Sequence, residues 1–426
     1  MSNIAVIGSG ISGMTAAHLL SRQHQVTLFE KATRLGGHTH TVRIETADGP
    51  LAVDMGFIVF NERNYPNLVA LFDRLGVRSQ ASDMSFSVSD RRTGFEYSSR
   101  GASGFFADRT SLVRPSRYRL LAEILRFNRC ARLLLEDASG SAAGDVPVDQ
   151  WLDAQRFSRA FRRHFLFPMA SAIWSTSLDE IGLFPAKLLA RFLDNHGLLQ
   201  LTGQPQWRVV CGGSASYIDP LIAPLSDSVV TGASIAAVCR TPVGVTLQFT
   251  DRPPMAFDEV VFACHGDQVL PLLDRPSPAE RQVFSAFRTT RNETWLHTDD
   301  SVLPRSEAAR ASWNYHLGGG ERDVTLTYHM NRLQSLRTRE QYCVTLHPEG
   351  LVDASKVIAR MSFNHPLYTV AALAAQARWA NVSGVDGVHY CGAYWFNGFH
   401  EDGVRSAMRV ADAIAAKSRL ATECAA

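Results

Sequence analysis

The sequence is nearly without lysine. Of its 43 cationic side chains only Lys31, Lys187, Lys356 and Lys417 are lysines, and the rest are arginines. That limits any chemistry needing a titratable amine, because arginine stays protonated at every working pH. The seven cysteines (Cys130, Cys211, Cys239, Cys264, Cys343, Cys391 and Cys424) include no C-x-x-C pair and are odd in number. Such scattered thiols argue against a structural zinc site or a disulfide framework and fit a reducing cytoplasm. No apolar run reaches the roughly 18 residues of a bilayer span, and the first residues do not read as a signal peptide. Net charge is scarce too: 43 cations against 41 acids leave +2. A whole-surface nucleic-acid binder is usually far more basic, so nucleic acid is not an expected partner. What is present is the composition of a globular protein, with 46% hydrophobic and 20% charged residues over a length of 426. That length allows two to four domains, or one large domain with insertions. No internal repeat and no low-complexity tract stands out.

The first thirty residues carry the strongest local signal. Ile4-Ala5-Val6-Ile7 is an apolar run suited to a strand buried on both faces. Gly8-Ser9-Gly10-Ile11-Ser12-Gly13 follows, then an apolar-periodic helix with Met14, Ala17, Leu19 and Leu20. Val26-Thr27-Leu28-Phe29 reads as a second strand ending at Glu30. This is a complete β–α–β unit with G-x-G-x-x-G at its first turn. Gly8 permits the turn, Gly10 lets backbone approach a pyrophosphate, and Gly13 lets helix and strand pack closely. Free N–H groups of the helix start face the phosphates, and Glu30 accepts from a ribose diol. The unit predicts a dinucleotide site.

Further segments extend the pattern. Arg34, Gly36, Gly37 and Thr41 fall in R-x-G-G-R-x-x-S/T order, with His38 where the second arginine would stand. Asp54-Met55-Gly56-Phe57-Ile58 reads as a strand and turn. In the middle, Trp207 to Ser214 precede a helix near Tyr217, Val229–Val238 and Val243–Phe249 read as a hairpin, and Phe257–Ala263 as a buried strand. Late in the chain come His389-Tyr390-Cys391-Gly392-Ala393 and Asn397-Gly398-Phe399-His400-Glu401-Asp402-Gly403-Val404, with Asp402-Gly403 opening a last helix. Together these resemble the flavin amine oxidase superfamily, flavoproteins with two dinucleotide-binding domains. The resemblance implies noncovalent FAD and a Rossmann-type α/β domain carrying an inserted α+β substrate domain. The expected FAD segments are residues 1–75, 200–270 and 381–420, with 76–199 and 271–380 on the substrate or membrane side. The implied cofactor contacts are Gly8, Gly10, Ser12, Gly13, Glu30, Lys31, Gly36, Gly37, His38, Met55, Gly56, Phe57, Val238, Gly392, Asp402, Gly403 and Val404. Val238 stands where backbone pairs with adenine, and the Val404 N–H where a helix start faces the flavin O2.

The runs around Gly36-Gly37-His38, Asp54 to Asn61 and Gly392 to Gly403 narrow the resemblance to a bacterial subgroup. It is associated with cyclopropane-fatty-acid-synthase-like lipid methyltransferases, and some members are similar to the acyl desaturase of furan fatty acid biosynthesis. This implies dehydrogenation of a methyl-branched, phospholipid-bound acyl chain, with a methyltransferase as a partner. The alternatives are an amine or other small-molecule oxidase, and a non-redox flavin isomerase or lipid-binding chaperone. His400, Tyr394 and Asn397 are the candidate catalytic residues. His400 reads either as a general base, its ordinary pKa lying near neutrality, or as a packing residue at a helix start. Tyr394, Trp395, Phe396 and Phe399 read as a substrate wall or as ordinary core. No metal site is expected from His38 and His40. Several amine oxidases use a lysine near the flavin N5, and the corresponding stretch, Thr289 to Trp295, has none.

Residues 91–170 match the pattern least. They hold 14 arginines, no lysine and eight acids, for a net +6. Arg114, Arg117, Arg119, Arg126, Arg129 and Arg132 interleave with Tyr118, Leu120, Leu121, Ile124, Leu125 and Leu133, and Phe157, Phe161, Phe165, Leu166 and Phe167 lie among further arginines. Basic and bulky apolar residues on helices suit an anionic lipid surface or a cap over the substrate cavity. The expected location is cytoplasmic, with peripheral attachment to the inner membrane face. Ser139–Asp149 reads as a loop.

Overall fold

The computed structural model describes every residue except 48, 137–145, 175–180, 201–202, 226, 319–323 and 426. Most of the expected 139–149 loop therefore lies outside the described residues, and its last two residues instead open a helix, Val148–Ala154. Asn3–Ile7 forms the centre of a five-stranded parallel sheet. Ile4, Ala5 and Val6 are fully buried, as their apolar run requires. The strand order is Val229–Val230, Gln25–Phe29, Asn3–Ile7, Glu259–Phe262, Val388–Tyr390. Helix Ile11–Leu20 packs against the C-terminal helix His400–Ala425.

Three local expectations change. Val229–Val238 is not one hairpin strand: Val229–Val230 joins the parallel sheet edge, and the antiparallel pair is Ile235–Thr241 with Gly244–Phe249. The break falls at Gly232, whose φ of +64° turns the chain. Phe257–Ala263 is also split, Met255–Phe257 completing the antiparallel sheet and Glu259–Phe262 entering the parallel one. The last helix begins at His400, two residues before Asp402, because the Asp402 carboxylate reaches back to accept the Phe399 N–H at 3.0 Å.

The inserted part is a seven-stranded sheet built from Phe86–Asp90, Phe95–Ser98 and strands between Arg288 and Leu367. Beside it, helices Pro115–Glu136, Val148–Ala154 and Ala186–Asn195 share a separate core around Leu120, Phe127, Leu152, Phe161 and Leu193. The cores do not follow the expected segment limits. Val283, Phe284, Ala372 and Trp379 belong to the core of the parallel sheet, with the Phe284 ring 4.6 Å from Tyr390. Ser79–Ala81 pairs with Trp207–Val210. Among the described residues no helix is long and apolar enough to cross a membrane.

Candidate functional site

A cavity of about 1070 Å³ opens at the carboxyl edge of the parallel sheet. It stands at the top of the roughly 300–1,000 Å³ range of ligand sites, in the crevice where open α/β sheets bind ligands. Gly8, Gly10 and Ser12 line it from the first turn. The three glycines of that turn have different tasks. Gly8 adopts φ +106°, in the left-handed region. A Cβ on Gly13 would lie 1.8 Å from the Gly8 carbonyl oxygen, so Gly13 is dictated by helix–strand packing and does not line the cavity. A Cβ on Gly10 would meet nothing within 4 Å. The backbone there is bare toward the cavity, which is the cradle a pyrophosphate needs.

Glu30 lines the same cavity. Its Oε2 accepts from Ser9 N–H at 2.9 Å and Ser9 Oγ–H at 2.6 Å, and its Oε1 accepts from Ala32 N–H at 2.8 Å. These bonds fix the carboxylate and leave lone pairs for a ribose diol. Exposed Lys31 lies at the rim. The expected adenine contact moves. Val238 is 1% exposed, and its carbonyl accepts the Asp274 N–H at 3.1 Å. Ala233, Ser234 and Ile235 line the cavity instead, because the strand leaves the cavity edge after Ile235.

The far end is a neutral histidine chamber. Gly36, Gly37, His38, Gly392, Tyr394 and His400 line it, together with His265 and His365. The His38 ring lies 5.4 Å from His265 and 5.3 Å from His365. Burial and the neighbouring imidazoles hold His38 well below its ordinary pKa, and its Nε2 is buried without a partner. Asn292 Nδ2–H donates to His365 Nδ1 at 2.6 Å, and burial lowers that ring to about 4. Asn292, 1% exposed, is thus the inward residue of the strand where lysine was absent, while exposed Arg291 turns to Glu293 and Ser362. Among the described residues, no group of three or more His, Cys, Asp or Glu side chains is placed to hold a metal.

His400 lines the cavity and packs against its wall. Its ring stacks on Phe57 at 3.7 Å, and its Nε2 lies 3.0 Å from Thr39 Oγ1 and 3.4 Å from Tyr217 Oη. Burial pushes it down to about 3, too low for a general base near neutral pH. Met55, Gly56 and Phe57 stand behind the wall rather than in it. Met55 and Phe57 N–H donate to the His40 and His38 carbonyls, and a Cβ on Gly56 would lie 1.9 Å from the His38 oxygen. Gly56 is therefore required by the close crossing of this strand under His38. Tyr394 is buried with its hydroxyl unpartnered.

A second cavity of about 620 Å³ adjoins the first, and Phe399 lines both. Exposed Asn397 and buried Asp402 line this second cavity, not the first. Burial raises Asp402 to about 6. Neighbouring Glu401 is committed to the start of helix Pro66–Leu75, accepting the Asn67 and Leu68 N–H at 3.2 and 2.9 Å. Gly403 serves a helix crossing, since a Cβ there would lie 2.6 Å from Ile11 Cγ2. Val404 is buried within the helix, so its N–H is no free donor. The early start of the last helix explains both displacements.

Sequence reasoning missed Ser9, His265, His365, Phe399 as a shared wall, and the Ala233–Ile235 edge. His265 was legible in principle, since it lies just beyond the carboxyl end of a buried parallel strand. His365 was not: it reaches the cavity only through pairing of its strand with Arg288–His297.

The bare backbone at Gly10, the anchored Glu30 and the glycine pair fit FAD held at this edge. Residues 11–298 match the family described as flavin-containing amine oxidoreductase. No curated protein sequence matches the chain. Among solved structures, wild-type putrescine oxidase bound to putrescine is similar, with 14% identity, 97% of this chain and 99% of that chain covered, and TM-score 0.69. Cyclohexylamine oxidase from Brevibacterium oxydans IH-35A matches at 16% identity, with 98% and 99% coverage and TM-score 0.70. A fatty acid isomerase from P. acnes that produces CLA matches at 16%, with 97% and 98% coverage and TM-score 0.66. The chain belongs to the flavin-containing amine oxidoreductase family and is an FAD-dependent oxidoreductase.

Proposed function

We propose that this enzyme dehydrogenates a lipid acyl chain, a methyl-branched, phospholipid-bound one being the preferred substrate. The observation that carries the reading is the second cavity. Leu188, Phe192, Leu373 and Tyr368 give one side of it an apolar lining, beside polar Arg63, Arg191, Asp194 and Gln200, and it meets the cofactor cavity at Phe399. An extended apolar substrate fits such a lining by burying its methylenes, each worth about 0.8 kcal/mol.

FAD, when bound, supplies the acceptor for a hydride. The chain's own residues orient the acyl group, exclude water and take up a proton. Asp402 is placed for the proton: it is buried, lines the second cavity, and has its pKa raised to about 6, near working pH. Two hydrogens then leave adjacent carbons, one as hydride and one as a proton, and a C=C bond remains. The histidine chamber, neutral at pH 7, adds no charge around the reacting carbon.

Anaerobic mixing with methylated phospholipid tests this. Loss of the oxidised flavin absorbance with a new C=C in the product is expected. Absence of bleaching, or turnover with no net redox, refutes it. Amine oxidation is the second reading, favoured by the family and by two amine-oxidase neighbours, with Asp194 and Asp402 in the second cavity as partners for an ammonium. Bleaching by amines instead of lipids selects it.

A further inference from the structure

We infer that the outer face of helix Pro115–Glu136, with the segment leading into it, docks on an anionic lipid surface. The sequence offered basic and apolar residues across 91–170, and the fold sorts them. Phe157, Phe161 and Leu166 fill the helical core and are 5% exposed or less. Arg117 is 2% exposed, donates to the Glu96 carbonyl at 2.8 Å and covers the Phe95 ring at 3.7 Å. Arg126 lies 4.1 Å over the Phe157 ring and donates to the Gln155 and Arg156 carbonyls. These groups are committed inward.

What remains outside is a single stripe. Leu120, Ile124, Phe127, Ala131 and Leu134 bury one face of the helix. At about 100° per residue, Tyr118, Leu125, Arg129, Arg132 and Leu133 share the opposite face. Tyr118, Leu125 and Leu133 are 50, 44 and 55% exposed, and Leu112 and Val113, just before the helix, are 50 and 82% exposed. Arg114, Arg119, Arg129 and Arg132 are exposed beside them. The acids between 112 and 136 do not balance this charge. Glu123 is buried and accepts from Ser158 N–H and Oγ–H at 2.9 and 2.6 Å, which leaves Glu136 at the far end. Twenty-two residues at 1.5 Å give a stripe about 33 Å long.

Exposed leucine and valine set among arginines that outnumber the acids of the helix are the parts of an interfacial helix: apolar side chains enter the headgroup boundary while guanidinium groups meet lipid phosphates. The location suits a lipid substrate. This helix packs on Ala186–Asn195, which supplies Leu188, Arg191 and Phe192 to the second cavity. The inference stands apart from the acyl-chain reading, since a vesicle-bound enzyme that oxidises amines would keep it.

The test is flotation of the full-length FAD-loaded protein with phosphatidylcholine vesicles, with and without phosphatidylglycerol. Flotation only with the anionic vesicles, declining as salt rises, is expected. Each arginine near the surface multiplies partitioning about fivefold, so combining R119E, R129E and R132E lowers it on the order of 100-fold or more. A second variant with Val113, Leu125 and Leu133 replaced by Gln loses binding while keeping the charge. All six side chains are exposed, so melting temperature and flavin content stay at wild-type values. Should the charge-reversed protein misfold, the double variant R119Q/R129Q takes its place. No flotation of the wild type at about 0.1 M salt, or equal flotation of the variants, overturns the inference. A dimer that these substitutions dissociate, without vesicle binding, also overturns it and assigns the face to a second copy of the chain.

Discussion

Alanine at Gly10 and alanine at Gly13 differ by three residues in one turn, yet they are expected to damage different properties. Gly10 has φ −66° and ψ 175°, which alanine adopts without strain, and its Cβ would meet nothing within 4 Å. G10A therefore leaves the apoprotein folded and stabilises it by about 0.4–1 kcal/mol through the unfolded chain. The methyl group projects toward bare backbone that a pyrophosphate must touch. An overpacking cost of about 1–3 kcal/mol then falls on the complex, weakening FAD binding roughly 5- to 150-fold. Gly13 is the reverse case. A Cβ 1.8 Å from the Gly8 carbonyl oxygen must push helix from strand, so a similar cost falls on the fold. Flavin titration of deflavinated protein and thermal melting of the apoprotein separate the two. Wild-type FAD affinity in G10A would refute the claim that ligand contacts this backbone. An unchanged apoprotein melting temperature in G13A would refute the packing role.

Other substitutions probe the reaction end. Asp402 has its pKa raised by burial from 3.8 to about 6, so protonation favours the fold; that contribution is full below pH 4 and lost as pH rises through 6. D402N should therefore be up to about 3 kcal/mol more stable than wild type at pH 7.5 and equal to it near pH 4, read by urea unfolding; a pH-independent difference contradicts the assignment. Asp54, also raised to about 6, titrates in both proteins and cancels in the comparison. H400Q should keep the pH profile of flavin reduction, since His400 is already neutral above about pH 3, and a lost limb between pH 5 and 8 would restore it as a base. F399A merges the two cavities and should broaden the range of acyl chains that bleach the flavin; an unchanged range removes Phe399 as the partition. H38R puts a fixed cation in a neutral chamber and should shift the flavin midpoint potential upward in dye equilibration, whereas an unchanged potential places His38 away from the ring.

Local pattern determined the dinucleotide unit. Strand, G-x-G-x-x-G turn, helix, second strand and Glu30 are contiguous, and each glycine's task follows from backbone geometry that thirty residues suffice to build. The glycine pair at Gly36-Gly37 was legible for the same reason. The rest depended on pairing across long sequence distances. Val238 was displaced because the register of an edge strand, not its composition, decides which residues face the cavity. Asp402, Gly403 and Val404 were displaced because capping by the Asp402 carboxylate starts the last helix at His400, and a two-residue shift rotates every later side chain. His400 kept its place at the cavity, and of the two roles open to it the stacking on Phe57 favours packing. The sequence shows a histidine beside a cofactor motif, while only the fold shows it stacked on Phe57 with its pKa pushed down by burial. The scarcity of lysine was visible from the start. Tertiary structure alone supplied its counterpart, a chamber of His38, His265 and His365 drawn from three separate strands or turns, because side chains 227 and 327 residues from His38 meet only when the sheets close around the cavity.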